Sequence, residues 1–180
     1  MRKLTIVTVL VFFTSVAAMA QTEQGKFKFS IGLEAGYTAG TNVQRWNFGS
    51  GATAQAEYFL KDRISMTVMG GFIGYLGNNA DANYKYRSVN IFPVKAGIRF
   101  YLGESFHIGG QLGAGFMGIG DSHSTAFAYS PIIGYNFKTN DDRSIDFSIK
   151  YDGYSYNQKD LPNTYGSSFA AVGLRVSYVF

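Results

Sequence analysis

The last fourteen residues, Ser167 to Phe180, decide the fold; they read Ser-Ser-Phe-Ala-Ala-Val-Gly-Leu-Arg-Val-Ser-Tyr-Val-Phe. Every second residue forms one apolar face, made of Ser168, Ala170, Val172, Leu174, Val176, Tyr178 and Phe180. The alternate face, which includes Gly173, Arg175 and Ser177, is smaller and more polar. Such alternation predicts a β-strand with different environments on its two sides. An exposed edge strand of this kind would aggregate in water, whereas in a closed membrane barrel it pairs on both sides.

Similar alternation recurs upstream and predicts seven more strands. The predicted strands are Lys26–Thr38, Gly51–Leu60, Ile64–Leu76, Ser88–Leu102, Phe106–Gly118, Ala126–Lys138 and Ser144–Asp152. The connections alternate between long polar loops and short turns, which is typical of an outer-membrane barrel. We therefore predict an all-β fold, an eight-stranded antiparallel up-and-down transmembrane β-barrel. Pro93 and Pro131 interrupt two strands, and we expect each at a bulge or near the outer rim.

The first twenty residues have the pattern of an export signal. Arg2 and Lys3 precede the apolar run Leu4–Val16, and Ala18-Met19-Ala20 is a small-x-small cleavage site. We expect cleavage between Ala20 and Gln21, which leaves residues 21–180 as the barrel domain; the alternative is a membrane-anchoring helix. The chain has no Cys, so disulfides and thiolate metal sites are excluded. The small positive charge left after cleavage does not indicate a nucleic-acid partner.

Composition and side-chain volume predict which face of the barrel points outward. Aromatic residues make up 17% of the chain, charged residues only 16%, and Gly is frequent at 22 residues. An eight-stranded barrel has an interior just wide enough for side chains to fill, so the face rich in Gly, Ser, Thr and Ala fits inside. The bulky apolar face carries no charge within the predicted strand cores, as a lipid-facing wall requires. The alternative, a soluble lipocalin-like barrel, would place the bulky face inside.

These features resemble the small outer-membrane barrels of the outer membrane protein A and X type. The resemblance lies in the export signal, the alternating strands and the terminal Tyr178-Val179-Phe180. The strand Phe92–Leu102 is similar to the outer membrane beta-barrel domain of Bacteroidetes-type bacteria. The resemblance implies a monomer in the bacterial outer membrane, in contact with its lipid and lipopolysaccharide. It also implies insertion by the barrel assembly machinery, with Tyr178 and Phe180 as the assembly signal.

Charged residues on the predicted inner face are the candidate functional residues: Glu34, Glu57, Lys95, Arg99, Asp146, Lys150 and Arg175. We expect a paired network that blocks the lumen, because an unpaired buried charge is costly. Counting from the short turns, we predict that Glu57 bridges Arg99 and Arg175, with Glu34 and Lys95 extending the network above. This indicates a structural or surface-interaction role; a narrow charge-lined channel for ions or small solutes is the alternative.

No catalytic, metal-binding or cofactor-binding residues are predicted. The sequence Asp121-Ser122-His123-Ser124-Thr125 lies in a predicted loop and raises the alternative of an enzyme that modifies lipid A in the outer leaflet. Adjacent residues on one loop rarely reach the geometry of a catalytic triad, so we expect no enzyme. The predicted long loops also carry aromatic residues that would form an interfacial girdle or a contact surface: Trp46, Phe48, Tyr84, Tyr86, Tyr154, Tyr156 and Tyr165.

Overall fold

In a computed structural model of the protein, eight long antiparallel strands close into one barrel. The structure describes residues 25–81, 84–120, 122–140, 143–156 and 168–180. The barrel strands are β1 (Phe27–Thr38), β2 (Trp46–Lys61), β3 (Ile64–Gly77), β6 (Val89–Leu102), β7 (Phe106–Ile119), β8 (Ser122–Asn140), β9 (Arg143–Tyr156) and β10 (Ser168–Val179). A small hairpin of β4 (Asn79–Asp81) and β5 (Tyr84–Lys85) lies between β3 and β6.

The barrel closes between its first and last strands. Strands β1 and β10 pair from Ser30 opposite Val179 to Thr38 opposite Ala171. Each of the eight strands therefore has a hydrogen-bonded neighbour on both sides. Closure satisfies the backbone groups that an open sheet would leave unpaired in lipid. The predicted all-β, eight-stranded barrel is confirmed.

The bulky apolar face points outward, as the volume argument predicted. Leu33 is 72% exposed and Leu174 is 57% exposed, whereas Arg175, the next residue after Leu174, is 4% exposed. This alternation excludes the lipocalin-like arrangement. The helix Gly40–Gln44 is five residues long, and none of the helical residues that the structure describes forms a segment long and apolar enough to cross a membrane.

The two ends of the barrel differ. We call the end with the turns at residues 62–63 and 103–105 the lower end, and the opposite end, which holds the β4–β5 hairpin, the upper end. The predicted polar loop at residues 120–125 is wrong, because β7 continues to Ile119 and β8 already begins at Ser122. Gly120 has a φ of 60°, a conformation that glycine adopts without steric cost.

Neither proline lies at a bulge, which was one of the two positions expected for them. Gly70 pairs with Val94 and Ile73 with Ile91, so the register is the same on both sides of Pro93. The register of β8 with β9 is likewise unchanged around Pro131. Val89 and Ile91, on the same strand as Pro93, are apolar and yet point into the barrel, where both are 0% exposed. The interior is therefore apolar at this level.

Candidate functional site

The interior holds all seven charged residues that the sequence predicted to point inward, and one more, Asp152. Each of the eight is at most 6% exposed. The set contains four carboxylates and four cations: Glu34, Glu57, Asp146, Asp152, Lys95, Arg99, Lys150 and Arg175. Equal numbers allow every buried charge to have an opposite partner, which is the condition for holding charges in a dry interior.

A lower cluster forms around Glu57. Its carboxylate accepts hydrogen bonds from Arg99 Nη1 at 3.0 Å, from the Tyr101 hydroxyl at 2.8 Å and from Ser65 Oγ at 2.5 Å. Arg99 also lies 3.8 Å from Asp146 Oδ2. The same carboxylate oxygen lies 2.5 Å from Nε2 of His107, whose side chain is fully buried. The cluster links β2, β3, β6, β7 and β9, and fills the lumen near its lower end.

A middle cluster forms around Asp152, which lies between two lysines. Lys95 Nζ is 2.6 Å from Asp152 Oδ1, and Lys150 Nζ is 3.0 Å from Oδ2. Ser130 Oγ also donates a hydrogen bond to Asp152, at 2.5 Å. Lys150 forms a second ion pair, with Glu34. Lys95 belongs to β6 and Asp152 to β9, so this ion pair crosses the lumen between strands that are not neighbours.

Arg175 contacts a different carboxylate from the one predicted. The structure brings Glu57 to Arg99, but no ion pair among the described residues joins Glu57 to Arg175. Arg175 Nε instead lies 3.8 Å from Glu34 Oε1 and donates a hydrogen bond to Thr53 at 3.0 Å. Glu34 and Arg175 are directly paired across β1 and β10. Counting from the turns failed because barrel strands are staggered, so equal counts do not give equal heights.

An apolar plug fills the upper half of the lumen. Phe169 is at its centre, with ring centroids 5.6 Å from Trp46, 4.9 Å from Tyr75 and 6.1 Å from Tyr154. Trp46 is 0% exposed and donates a hydrogen bond from Nε1 to the Arg87 carbonyl at 2.9 Å. The plug contains Trp46, Ile73, Tyr75, Val89, Ile91, Met117, Ile119, Ala126, Ala128, Tyr154, Tyr156, Phe169 and Ala171.

The plug corrects the interpretation of the loop aromatics. Trp46, Tyr154 and Tyr156 belong neither to a girdle nor to a contact surface, because β2 and β9 extend into the predicted loops and turn these rings inward. Phe48 points outward and is 46% exposed, as a girdle residue would be. Tyr86 packs against the plug. The side chain of Tyr84 and the whole of Tyr165 lie outside what the structure describes.

The Ser–His pair of the enzyme alternative is not assembled within the described chain. His123 is on the outer face of β8, whereas Ser124 is buried on the inner face, since neighbouring strand residues point to opposite sides. Asp121 lies outside the described residues. Among those residues, no group of three or more His, Asp or Glu side chains could hold a metal ion.

The assembly-signal residues Tyr178 and Phe180 point outward and are 38% and 54% exposed. Their rings contact each other edge to face at 4.9 Å, and Phe180 also lies 6.3 Å from Phe29 on β1. They therefore lie on the lipid-facing side of the seam at the lower end. The predicted cleavage site, Ala20 and Gln21, lies outside the described residues.

Comparison with known proteins gives one family and several structures. The family model "Outer membrane protein beta-barrel domain" matches residues 6–180. No curated protein matches the chain. Neisserial surface protein A is similar in structure, with a TM-score of 0.62 and 13% identity over 85% of this chain and 95% of that one.

Two further solved structures share the barrel. OprG of Pseudomonas aeruginosa has a TM-score of 0.53 and 10% identity, over 87% of this chain and 96% of its own. Ail of Yersinia pestis, an attachment invasion locus protein, has a TM-score of 0.53 and 17% identity, over 87% of this chain and 99% of its own. At these identities the likeness shows a shared fold.

Proposed function

Because the chain belongs to the outer membrane protein beta-barrel domain family and lies in the bacterial outer membrane, we propose that it is a closed barrel that does not conduct through its lumen. Its function is then carried out at the outer surface and at the lipid-facing wall. Short turns of outer-membrane barrels face the periplasm, so the lower end is periplasmic and the upper end extracellular.

One observation carries this proposal: inward side chains are buried at successive levels of the lumen, with Arg99 at 5% exposed in the lower cluster, Asp152 at 1% in the middle cluster and Phe169 at 0% in the plug. In a water-filled pore, the lining side chains would be accessible along its whole length. Here the lower cluster and the middle cluster fill one half of the lumen, and the apolar plug fills the other half. An ion would have to break buried ion pairs and then cross an apolar layer without water.

The narrow-channel alternative is less well supported because the interior charges neutralise one another. A conducting filter usually presents rings of one sign of charge or of carbonyl groups to the ion. The four carboxylates and four cations here are held in ion pairs and hydrogen bonds. Such pairs favour a fixed lumen over a path for solutes.

Conductance across a planar bilayer tests the proposal. The refolded protein should insert, as shown by protease protection of its barrel, and give no steady current at either voltage polarity. An open porin inserted in the same bilayer is the positive control, and heat-unfolded protein is the negative control. Stable unitary currents from the folded protein would overturn the closed-barrel function.

We also propose that the protein is not an enzyme. The opposite orientations of His123 and Ser124 support this. Lipid A mass spectra from cells with and without the protein should be identical. A change in acylation that depends on His123 would contradict the proposal.

A further inference from the structure

The outer wall formed by β6, β7 and β8 contains two hollows, one nearer the upper end of the strands and one further down them. The outward residues of the three strands line up in rows across the strands because their register is continuous. Near the top, one row is Asn90, Gly118 and His123, and the next is Phe92, Phe116 and Thr125. Four rows below the first, a row consists of Ile98, Gly110 and Pro131.

The upper hollow has a volume of about 550 Å³ and lies at a boundary between polar and apolar side chains. Asn90, His123 and Thr125 line it with hydrogen-bonding groups, while Phe92 and Phe116 line it with rings that are 52% and 49% exposed. Glycine at 118 leaves the floor open, with the ring of His123 beside it. The guanidinium of Arg87 lies close against Gly120, which also borders this hollow.

The lower hollow has a volume of about 810 Å³ and is almost entirely apolar at its surface. Small or flat residues form its floor, namely Ala96, Gly110 and Pro131. Larger apolar side chains surround them, among them Leu112, which is 58% exposed. A side chain at position 110 would meet no atom within 4 Å, so the depression is open to lipid.

The two hollows are separated by a distance that suits one lipid molecule. Gly118 and Gly110 are eight residues apart on β7, or about 27 Å along a strand. A strand tilt of about 40° reduces this to about 20 Å along the membrane normal. The hydrocarbon core is about 30 Å thick, so the upper hollow lies at headgroup level and the lower one near the bilayer centre. Ala114, a small residue, lies between them on the same face.

We propose that this strip binds one phosphorylated, acylated lipid of the outer leaflet, lipopolysaccharide. The upper hollow holds the phosphorylated sugar headgroup through Asn90, His123 and Thr125, with the positive charge of Arg87 at its edge. One acyl chain runs down past Ala114 and ends in the lower hollow. The charge favours a phosphate, and the change from polar to apolar lining matches a molecule with a polar head and a long chain.

Lipid binding to the purified full-length barrel in mild detergent tests the proposal, with native mass spectrometry as the readout. The probes are lipopolysaccharide and phosphatidylethanolamine, each titrated separately. The wild-type barrel should bind one lipopolysaccharide at concentrations where phosphatidylethanolamine leaves it free. Equal binding of both lipids would overturn the proposal, because it would show only a general lipid coat.

Glycine variants on the outer wall locate the site. Gly118→Val fills the upper hollow without a steric clash at Cβ and should weaken lipopolysaccharide binding about tenfold, the loss of one or two hydrogen bonds. Gly110→Val should weaken binding of the full-length lipid and leave binding of a short-chain form unchanged. Gly70→Val is the matched control, because it is on the outer wall of β3 with a similarly open Cβ position and should bind normally.

A second variant guards against misfolding. Asn90→Ala combined with His123→Ala removes headgroup contacts without adding volume and should weaken binding to a similar degree. Every variant is first checked for the heat-modifiable gel shift of a folded barrel. If folded Gly118→Val and folded Gly70→Val bind lipopolysaccharide equally well, the strip is not the site.

Discussion

Replacing Asp152 by Asn should destabilise the barrel more than any other single isosteric change in the interior. The side chain keeps its size, so no cavity forms, but the negative charge between Lys95 and Lys150 is lost. At an effective dielectric constant of about 20, two unit charges about 4 Å apart interact by about 4 kcal/mol. Asp152 makes two such contacts, at 2.6 and 3.0 Å. Part of that attraction is offset by the cost of burying the carboxylate.

We expect a loss of about 3–5 kcal/mol in the free energy of unfolding, the usual cost of removing one partner from a buried ion pair. Lys150 keeps Glu34 as a partner, so the larger penalty falls on Lys95, whose other polar contact is Ser130. Urea unfolding in lipid vesicles measures the loss. The fluorescence of Trp46, the one Trp in the chain, reports the transition.

Two controls separate charge from packing. Glu104→Gln removes an exposed partner of Lys138, with the two side chains 84% and 61% exposed, and should leave the midpoint of urea unfolding unchanged because solvent screens this pair. Lys95→Gln combined with Asp152→Asn should be more stable than Asp152→Asn alone, because the stranded cation is gone. A loss below 1 kcal/mol for Asp152→Asn, or simple additivity in the double variant, would refute the reasoning.

Three further variants test the rest of the barrel. Glu57→Gln strands Arg99 beside Asp146 at 3.8 Å and should cost about 3 kcal/mol in urea unfolding; a neutral result would mean that Asp146 suffices. Phe169→Ala opens the centre of the plug and should cost about 3–5 kcal/mol, with a red-shifted Trp46 emission as the solvent approaches; unchanged emission would contradict that geometry. Deleting Phe180 should lower the amount of folded protein in the outer membrane and raise periplasmic degradation, measured by gel shift and fractionation; normal folded levels would exclude an assembly role.

Strand period and residue volume were sufficient to predict the barrel and its outward face. The two-residue alternation of a β-strand is enough to predict that Leu174 points outward and Arg175 inward. The alternation does not reveal which side chains fill the interior where both faces of a strand are apolar. Ile73 and Tyr75 blurred the alternation of β3, and they do so because they belong to the plug.

Strand ends and strand stagger account for the remaining differences. Asp152 was placed at the end of its predicted strand, yet β9 continues to Tyr156 and holds Asp152 well inside. The charge balance could have predicted that Asp152 lies in the interior. The predicted interior set held three carboxylates and four cations, and an unpaired buried charge is costly. The partner of Arg175 depended on the stagger between strands, which is set by closure of the whole sheet and not by any local pattern.

The charged network and the plug act as one unit, because Lys95 contacts both. Its Nζ lies 2.6 Å from Asp152 and 5.9 Å from the centre of the Tyr154 ring, which in turn contacts Phe169 and, through it, Trp46. A change at Asp152 is therefore transmitted through packed side chains to the indole, whereas Glu57 lies in the lower cluster, on the far side of the middle one.

Folded Asp152→Asn should shift the Trp46 emission before any unfolding, and folded Glu57→Gln should leave it unchanged. Equal shifts in both variants would mean that the interior relaxes as a whole, and no shift in either would mean that the plug holds its shape without the charges beneath it.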